Sequence, residues 1–223
     1  MKPRELIDTA EVPNGPPLRL VRHDRDFIIM LDRNELMSTR MNGSEIALGA
    51  MTCERLRTPS TSKILVGGYG MGYTLRAVLA AVGPEAKVTV AELVPGIIAW
   101  ARGPLHTLTD GCLDDHRVAV MIGDVADVLA TGAQSYDAIL LDVDNGPEGA
   151  TRKQNNGLYG KAGLTLARRA LQPGGILAVW SAGPDTAFAH RLERAGFDVE
   201  EVRVAARSNG KGPRHTIWFA TAT

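Results

Sequence analysis

The stretch KILVGGYGMG, residues 63–72, decides the fold of this 223-residue chain. Its first half is a short apolar run, which is typical of a parallel β-strand that is buried on both faces. Its second half spaces glycines at positions 68, 70 and 72, giving the pattern GxGxG. Such a turn lets the backbone reverse sharply and approach a ligand without a Cβ in the way. The stretch therefore predicts a strand, a ligand-binding turn and a helix.

Further β-prone runs follow this strand, and most of them are separated by a helical segment. The expected strands are residues 63–67, 87–92, 117–121, 137–142, 176–180, 199–205 and 215–220. The last two are joined by a turn too short for a crossover helix, so they should pair antiparallel. The sequence predicts an α/β fold, a Rossmann-like, mostly parallel seven-stranded sheet with an antiparallel last strand.

The first part of the chain has a different pattern. Residues 1–17 are polar and rich in proline and glycine, so we expect an irregular arm. Residues 26–31 and 35–40 flank a polar turn and predict a short N-terminal β-hairpin. Ser44 is expected to cap a helix that runs to about Arg55. We therefore expect residues 1–60 to form an arm, hairpin and helix, and residues 61–223 to form the cofactor-binding domain.

Composition excludes several classes of protein. Basic and acidic residues balance at 25 each, which gives no support to a nucleic-acid or acidic-membrane partner. The two cysteines and five histidines show no metal-ligand spacing, so no metal is expected. The sequence shows neither a secretory leader nor the roughly 20 apolar residues of a membrane span, which predicts a cytoplasmic protein.

An acidic residue supports a nucleoside site at the glycine-rich turn. Glu92 ends the second strand about 20 residues after the turn, where a carboxylate can accept hydrogen bonds from both ribose hydroxyls. A solvated strand-end glutamate is the alternative. The glycines do not give the G-x-G-x-x-G fingerprint of NAD sites. We therefore expect S-adenosylmethionine or its decarboxylated form as the ligand.

Four segments resemble the spermidine synthase-like branch of the class I methyltransferase fold. KILVGGYGMGYTLRAVL (63–79) resembles its cofactor turn, and VTVAELVPGIIAWAR (88–102) resembles its ribose-binding strand and helix. YDAILLDVDNGP (136–147) resembles its catalytic loop, and LYGKAGLTLARRALQPGGILAVW (158–180) resembles the segment after that loop. The resemblance implies that Asp124, besides capping a helix, contacts the adenine. The cofactor-binding residues expected are Gly67, Gly68, Tyr69, Gly70, Gly72, Glu92, Leu93, Gly123, Asp124 and Asp142.

Three acidic motifs of that family are eroded here. Its Gly-Gly-Gly-Asp-Gly turn has Gly70 and Met71 where the aspartate would fall. Its Tyr-His-Glu corresponds to residues 43–45, of which only Glu45 matches. Its D-x-x-D-P loop becomes residues 142–147, where the second aspartate falls on an asparagine unless the loop is shifted by one residue.

Alkyl transfer from a sulfonium needs an aligned nucleophile and, for a protonated amine, a group that removes its proton. Carboxylates at a strand end can do this, although an Asp can also cap a loop. The catalytic candidates are Asp142, Asp144 and Asn145. The substrate-side candidates are Glu45, Met71, Tyr159 and Trp180, for which a surface or core role is the alternative.

The eroded motifs favour transfer of a methyl group from S-adenosylmethionine to a small-molecule nucleophile. The alternatives are aminopropyl transfer from decarboxylated S-adenosylmethionine, as in spermidine synthases, and a non-catalytic nucleoside-binding protein. The acceptor stays open. The resemblance implies a homodimer.

Overall fold

The chain forms two sheets in the computed structural model, which describes residues 4–143, 146–147 and 155–223. The small sheet is antiparallel, in the order β1 (Glu5–Ala10), β2 (Leu18–His23), β3 (Asp26–Leu31) and β4 (Asn34–Ser38). The strands of the large sheet are β5 (Lys63–Gly67), β6 (Lys87–Glu92), β7 (Val118–Ile122), β8 (Tyr136–Leu141), β9 (Leu171–Ser181), β10 (Phe197–Ala205) and β11 (Arg214–Ala222).

The large sheet has the order β10-β11-β9-β8-β5-β6-β7. The pairs among β5 to β9 are parallel, whereas β11 pairs antiparallel with both β9 and β10. The predicted α/β fold with a reversed last strand is therefore confirmed. The helices are α1 (Gly43–Glu54), α2 (Tyr73–Ala81), α3 (Pro95–Arg102), α4 (Val125–Thr131), α5 (Asn155–Leu158), α6 (Lys161–Ala170) and α7 (Thr186–Arg194).

Alternate residues of the buried strands face opposite sides of the large sheet, as the period of two requires. On one side Ile64 and Val66 pack among residues of α1, α2 and α3. On the other side Leu65 packs among residues of α4, α6 and α7. Burial on both faces explains why these strands are continuous apolar runs. None of the described helices combines the length and apolar character needed to cross a membrane.

The N-terminal region is more regular than its sequence indicated. The expected hairpin is present as β3 and β4, but it belongs to a four-stranded sheet. The expected irregular arm instead contains β1, which pairs with β2. This strand is mostly exposed, so it lacks the alternating apolar pattern that predicts a strand. Asp8 anchors it by accepting a 2.8 Å hydrogen bond from Trp100 Nε1 in α3.

The start of α1 also differs from the expectation. Asn42, not Ser44, occupies the N-cap position. Ser44 lies inside the first turn, and its side chain turns away from the helix backbone toward other side chains. A serine near a helix start predicts a cap only when its hydroxyl has no better partner.

Candidate active site

A cavity lies at the carboxyl edge of the large sheet, where ligands bind in open α/β folds. The ends of four neighbouring strands contribute to its lining. These residues are Gly68 and Gly70 after β5, Glu92 and Leu93 at β6, Gly123 and Asp124 after β7, and Asp142 after β8. The cavity is thus built where the sequence predicted a nucleoside site.

The glycine-rich turn needs glycine for its backbone conformation. Gly68, Gly70 and Gly72 have φ values of +86°, +54° and +75°, in the left-handed region that residues with a Cβ avoid. A Cβ on Gly68 would also lie 2.4 Å from the carbonyl oxygen of Asp142. The ends of β5 and β8 therefore meet more closely than any side chain would permit.

Glu92 is held by the backbone of the turns around it. Its Oε2 accepts from Tyr69 N at 2.9 Å, and its Oε1 accepts from Val94 N at 2.8 Å. The residue is 5% exposed. Burial raises the pKa of this carboxyl, and the N–H donors oppose that rise. The residue lines the cavity, so this carboxyl is fixed at the cavity wall.

Asp124 caps α4, because its Oδ1 accepts from Ala126 N at 2.8 Å. The residue also lines the cavity beside Gly123. A Cβ on Gly123 would meet nothing within 4 Å, so the wall at this point is open. The cap and a ligand contact are compatible, since the carboxylate has further lone pairs.

Asp142 and Glu45 form an acidic pair on the other side of the cavity. Thr74 donates to Asp142 Oδ2 at 2.7 Å, and its hydroxyl lies 3.3 Å from the backbone oxygen of Glu45. Burial raises the pKa of Asp142 to about 6, against the hydrogen bond from Thr74. Burial and the charge of Asp142 raise the pKa of Glu45 to about 7. Two carboxyls that titrate near neutrality suit proton transfer and the binding of a cation.

Glu45 also belongs to a hydrogen-bonded chain of three side chains. Ser44 Oγ lies 2.6 Å from Glu45 Oε2 and 2.8 Å from His215 Nδ1. His215 comes from β11, and its ring meets Trp180 of β9 edge-on at 4.8 Å between centroids. Burial lowers the pKa of this imidazole. Trp180 and His215 both line the cavity.

The small sheet and its connections form an apolar wall opposite the strand ends. Its main side chains are Val12, Leu18, Ile29, Leu31, Leu36 and Met37. Met37 reaches the glycine-rich turn, since a Cβ on Gly70 would lie 2.7 Å from its methyl carbon. The N-terminal region therefore forms the wall of the cavity opposite the strand ends of the large sheet.

The structure brings most of the predicted site residues to this cavity. The predicted residues that line it are Glu45, Gly68, Gly70, Glu92, Leu93, Gly123, Asp124, Asp142 and Trp180. Their proposed roles as cofactor, substrate or catalytic residues stay predictions. Their position together at one sheet edge follows from the parallel strands that carry them.

Other predicted site residues lie outside the cavity lining. Gly67 and Gly72 are buried in the turn. Met71 is 1% exposed in the core, so it is no pocket wall. The Tyr69 ring is also buried, with its hydroxyl 3.4 Å from Cys112 Sγ, and only its backbone N–H serves the site. Left-handed glycines on both sides turn these two side chains inward.

Tyr159 likewise packs in the core, against Phe188, and donates to the backbone oxygen of Val143 at 3.1 Å. Through this hydrogen bond it holds the segment after β8. The two other predicted catalytic residues, Asp144 and Asn145, lie outside the described residues.

Sequence reasoning missed three side chains of the site. Thr74 was expected only as part of the helix after the turn, Ser44 as a cap, and His215 as one of five histidines without metal-ligand spacing. His215 lies 171 residues from Ser44, and the position of β11 between β10 and β9 brings them together. The last strand was predicted at residues 215–220, but nothing in the sequence indicated what its first residues face.

Solved structures show the same fold. The spermidine synthase from Thermotoga maritima aligns with a TM-score of 0.79 over 98% of this chain and 73% of that one, at 18% identity. A probable spermidine synthase from Corynebacterium glutamicum aligns with a TM-score of 0.68 over 97% of this chain and 80% of that one, also at 18% identity. At this level of identity the likeness is one of fold.

Sequence relatives are more similar but much longer. A protein named polyamine aminopropyltransferase 1 from Streptomyces coelicolor is 34% identical over 157 residues, which are 67% of this chain and 29% of that protein. A polyamine aminopropyltransferase from Mycobacterium tuberculosis is 35% identical over 150 residues, 63% of this chain and 28% of that protein. This chain thus spans less than a third of the length of these two relatives.

The names of these relatives correct our main functional expectation. The eroded acidic motifs favoured methyl transfer, whereas the relatives are named for aminopropyl transfer. The methyl-transfer prediction was wrong because it rested on the motif residues that are missing and not on the acidic residues that are retained. The cavity retains Glu45 and Asp142 as a pair, although the other acidic positions have changed.

The family is shown by a match that covers more than half of the chain. Residues 49–190 match the model of the spermine/spermidine synthase domain. This range contains β5 to β9, with the glycine-rich turn, Glu92, Asp124 and Asp142. The chain belongs to the spermine/spermidine synthase family.

Proposed function

We propose that this chain is an aminopropyltransferase that uses decarboxylated S-adenosylmethionine as its donor. The observation that carries the proposal is the charge of the cavity. Its described lining contains four carboxyl residues, Glu45, Glu92, Asp124 and Asp142, and neither lysine nor arginine. The relatives named polyamine aminopropyltransferase support the same reaction.

The two possible donors differ in one charged group. S-adenosylmethionine carries a carboxylate next to its ammonium, and an acidic cavity disfavours that carboxylate. The decarboxylated donor has only a sulfonium and an ammonium, both positive. Because part of the lining is apolar, its carboxyl groups are screened less than they would be in water, and they discriminate between these charges.

The nucleoside half of the donor fits the part of the cavity nearest β6 and β7. Glu92, which the backbone holds at the cavity wall, would accept from the ribose hydroxyls. Asp124 would accept from the adenine amino group while it caps α4. Gly68 and Gly70 leave room for the ligand to approach the backbone.

Glu45 and Asp142 would handle the amines. The acceptor amine attacks the carbon next to the sulfonium; the new C–N bond forms, the C–S bond breaks, and methylthioadenosine leaves as a neutral thioether. The attacking nitrogen must lose a proton, and a carboxyl that titrates near neutrality can take it. The acceptor class, a polyamine or its precursor amine, follows from the names of the relatives.

Isothermal titration tests the donor directly. We expect tight binding of decarboxylated S-adenosylmethionine and of methylthioadenosine, and weaker binding of S-adenosylmethionine and S-adenosylhomocysteine. Preference for the two carboxylate-bearing ligands would contradict the proposal. If none of the four ligands binds, the proposal of a nucleoside site is contradicted as well.

Three further expectations remain open to test and belong to this proposal: a homodimer, a cytoplasmic location, and a boundary between two units near residue 60. Light scattering of the purified chain measures the first, cell fractionation the second, and limited proteolysis the third.

A further inference from the structure

Ser44 and His215 form a hydrogen-bonded chain with Glu45, but neither has a role in the reaction as described so far. Ser44 Oγ is within hydrogen-bonding distance of both neighbours, at 2.6 Å and 2.8 Å. Ser44 is fully buried and Glu45 is 6% exposed, whereas His215 is partly exposed. The three groups therefore lead from a buried carboxyl to a side chain that solvent can reach.

A serine hydroxyl between a carboxyl and an imidazole can be arranged in two ways, because it has one hydrogen and two lone pairs. With Glu45 ionised, Ser44 donates to Glu45 and accepts from a protonated Nδ1 of His215. With Glu45 protonated, Glu45 donates to Ser44, and Ser44 donates to an unprotonated Nδ1. Two proton transfers, one between Glu45 and Ser44 and one between Ser44 and His215, interconvert the two arrangements with no movement of heavy atoms.

The surroundings define which charges act on this chain. Asp142, at the end of β8, faces Glu45 and is the charge that raises its pKa. From β9 the neutral ring of Trp180 packs on His215, and from β10 Val204 pairs with it. Burial, rather than a neighbouring charge, lowers the pKa of His215. Glu45 is thus the titratable group that the hydrogen bonds of Ser44 connect to His215.

We propose that Ser44 and His215 form a proton relay behind Glu45. The acceptor ammonium loses a proton to Glu45, Glu45 passes a proton to Ser44 Oγ as Ser44 gives its own to His215 Nδ1, and the imidazolium releases its Nε2 proton to water or buffer. No electron is transferred, and Glu45 is ionised again. His215 is left with its proton on Nδ1, so exchange of the ring protons with water must restore the Nε2–H form before the next turnover. The relay rests on the proposed function, and His215 acts in it through Glu45 as a positioning residue rather than on the substrate.

Replacing the imidazole while keeping its hydrogen bond tests the relay. The His215→Asn variant retains a polar group toward Ser44 but carries no proton. We expect kcat to fall about tenfold or more in dilute buffer, with the KM for the donor unchanged, and added imidazole to restore kcat. The matched control is His190→Asn, whose exposed ring pairs with Glu193. Unchanged kcat, or a loss that imidazole does not restore, would overturn the relay.

A second measurement needs no turnover. In NMR titrations of the histidine rings, Glu45→Gln should lower the pKa of His215, because the relay couples the imidazolium to the Glu45 carboxylate. The His190 titration should stay unchanged, and Ser44→Ala should weaken the coupling. If Glu45→Gln leaves His215 unaffected, the relay is refuted whatever the reaction. If the coupling is present but aminopropyl transfer is not found, the proposed function fails and the relay stands.

Discussion

The two sides of the cavity are built in different ways. The nucleoside side consists of the glycine-rich turn, Glu92 and Asp124, where backbone N–H groups fix the carboxylates. The amine side consists of Glu45, Asp142, Ser44 and His215, where side chains hold one another and burial raises the pKa of both acids.

This difference has a consequence for function. A carboxyl held by backbone donors is fixed in place, which suits recognition of hydroxyl groups. A buried pair that titrates near neutrality can accept and release protons, which suits chemistry on an amine. Substitutions on the nucleoside side should therefore change donor binding, and those on the amine side should change the rate of transfer.

The largest effect should come from Asp142→Asn. Asparagine keeps an oxygen that accepts from Thr74, so the local structure should be retained. It can neither balance an ammonium charge nor help to raise the pKa of Glu45, the group proposed to take the proton, so kcat should fall about 10²- to 10⁴-fold. The donor Kd should change far less. Release of methylthioadenosine measures kcat, and isothermal titration measures Kd.

Asp198→Asn serves as the control for this variant, because Asp198 lies exposed on β10, outside the cavity lining. It should behave as the unchanged chain does. An Asp142→Asn variant that retains its rate would show that the transfer does not depend on this carboxylate.

Glu92→Gln should show the opposite pattern. The amide replaces one acceptor oxygen with a donor, so a ribose hydroxyl and one of the two backbone N–H groups on Glu92 lose their partner. Since a hydrogen bond to a charged group contributes about 1.5–3 kcal/mol, the donor Kd should rise about 10- to 100-fold. At saturating donor, kcat should change little. Exposed Glu85→Gln is the matched control, and an unchanged Kd in Glu92→Gln would disprove the ribose contact.

The dependence of stability on pH tests the raised pKa of Glu45 on the amine side. The pKa of Glu45 rises from 4.5 to about 7 on folding, so the folded chain binds the proton more tightly than the unfolded chain. Its contribution to the free energy of unfolding is present below pH 4.5 and is lost as pH rises through about 7. Glu45→Gln should lack that loss, on the order of 1–3 kcal/mol.

Urea unfolding of both chains at pH 5 and pH 8 measures this effect. The wild type should lose more stability than Glu45→Gln between the two pH values, whereas Glu85→Gln should follow the wild type. Parallel losses in all three would show that Glu45 titrates in the folded chain as it does in water.

The smallest effect should come from the apolar wall. Met37→Ala removes the side chain that lies on Gly70, but the residue is only partly buried. We expect a loss of stability of about 1–2 kcal/mol and a few-fold rise in the KM for donor or acceptor. Steady-state kinetics and thermal unfolding check both. Unchanged KM values would mean that the small sheet does not contact the substrates.

The nucleoside side could be predicted from the sequence because its parts are local. The turn follows β5 directly, Glu92 ends the next strand, and Asp124 caps the helix that follows β7. Parallel strands in this order must bring these residues to one edge. The strand pattern and the reversed last strand were predictable for the same reason.

The amine side could not be predicted, because its partners come from distant segments. Ser44 and His215 meet only because α1 packs on the sheet beside β11. The side chains of Tyr69 and Met71 point inward beside glycines with positive φ values, and the sequence pattern does not indicate those φ values. β1 was missed because pairing with β2, rather than an apolar face, makes it a strand.

A competition between donors tests the central claim most directly. The chain is incubated with equal concentrations of S-adenosylmethionine, decarboxylated S-adenosylmethionine and 1,4-diaminobutane, and both nucleoside products are quantified by chromatography. The acidic cavity predicts that methylthioadenosine accumulates with an aminopropylated amine, and that S-adenosylhomocysteine does not accumulate. Accumulation of S-adenosylhomocysteine with a methylated amine would contradict the account.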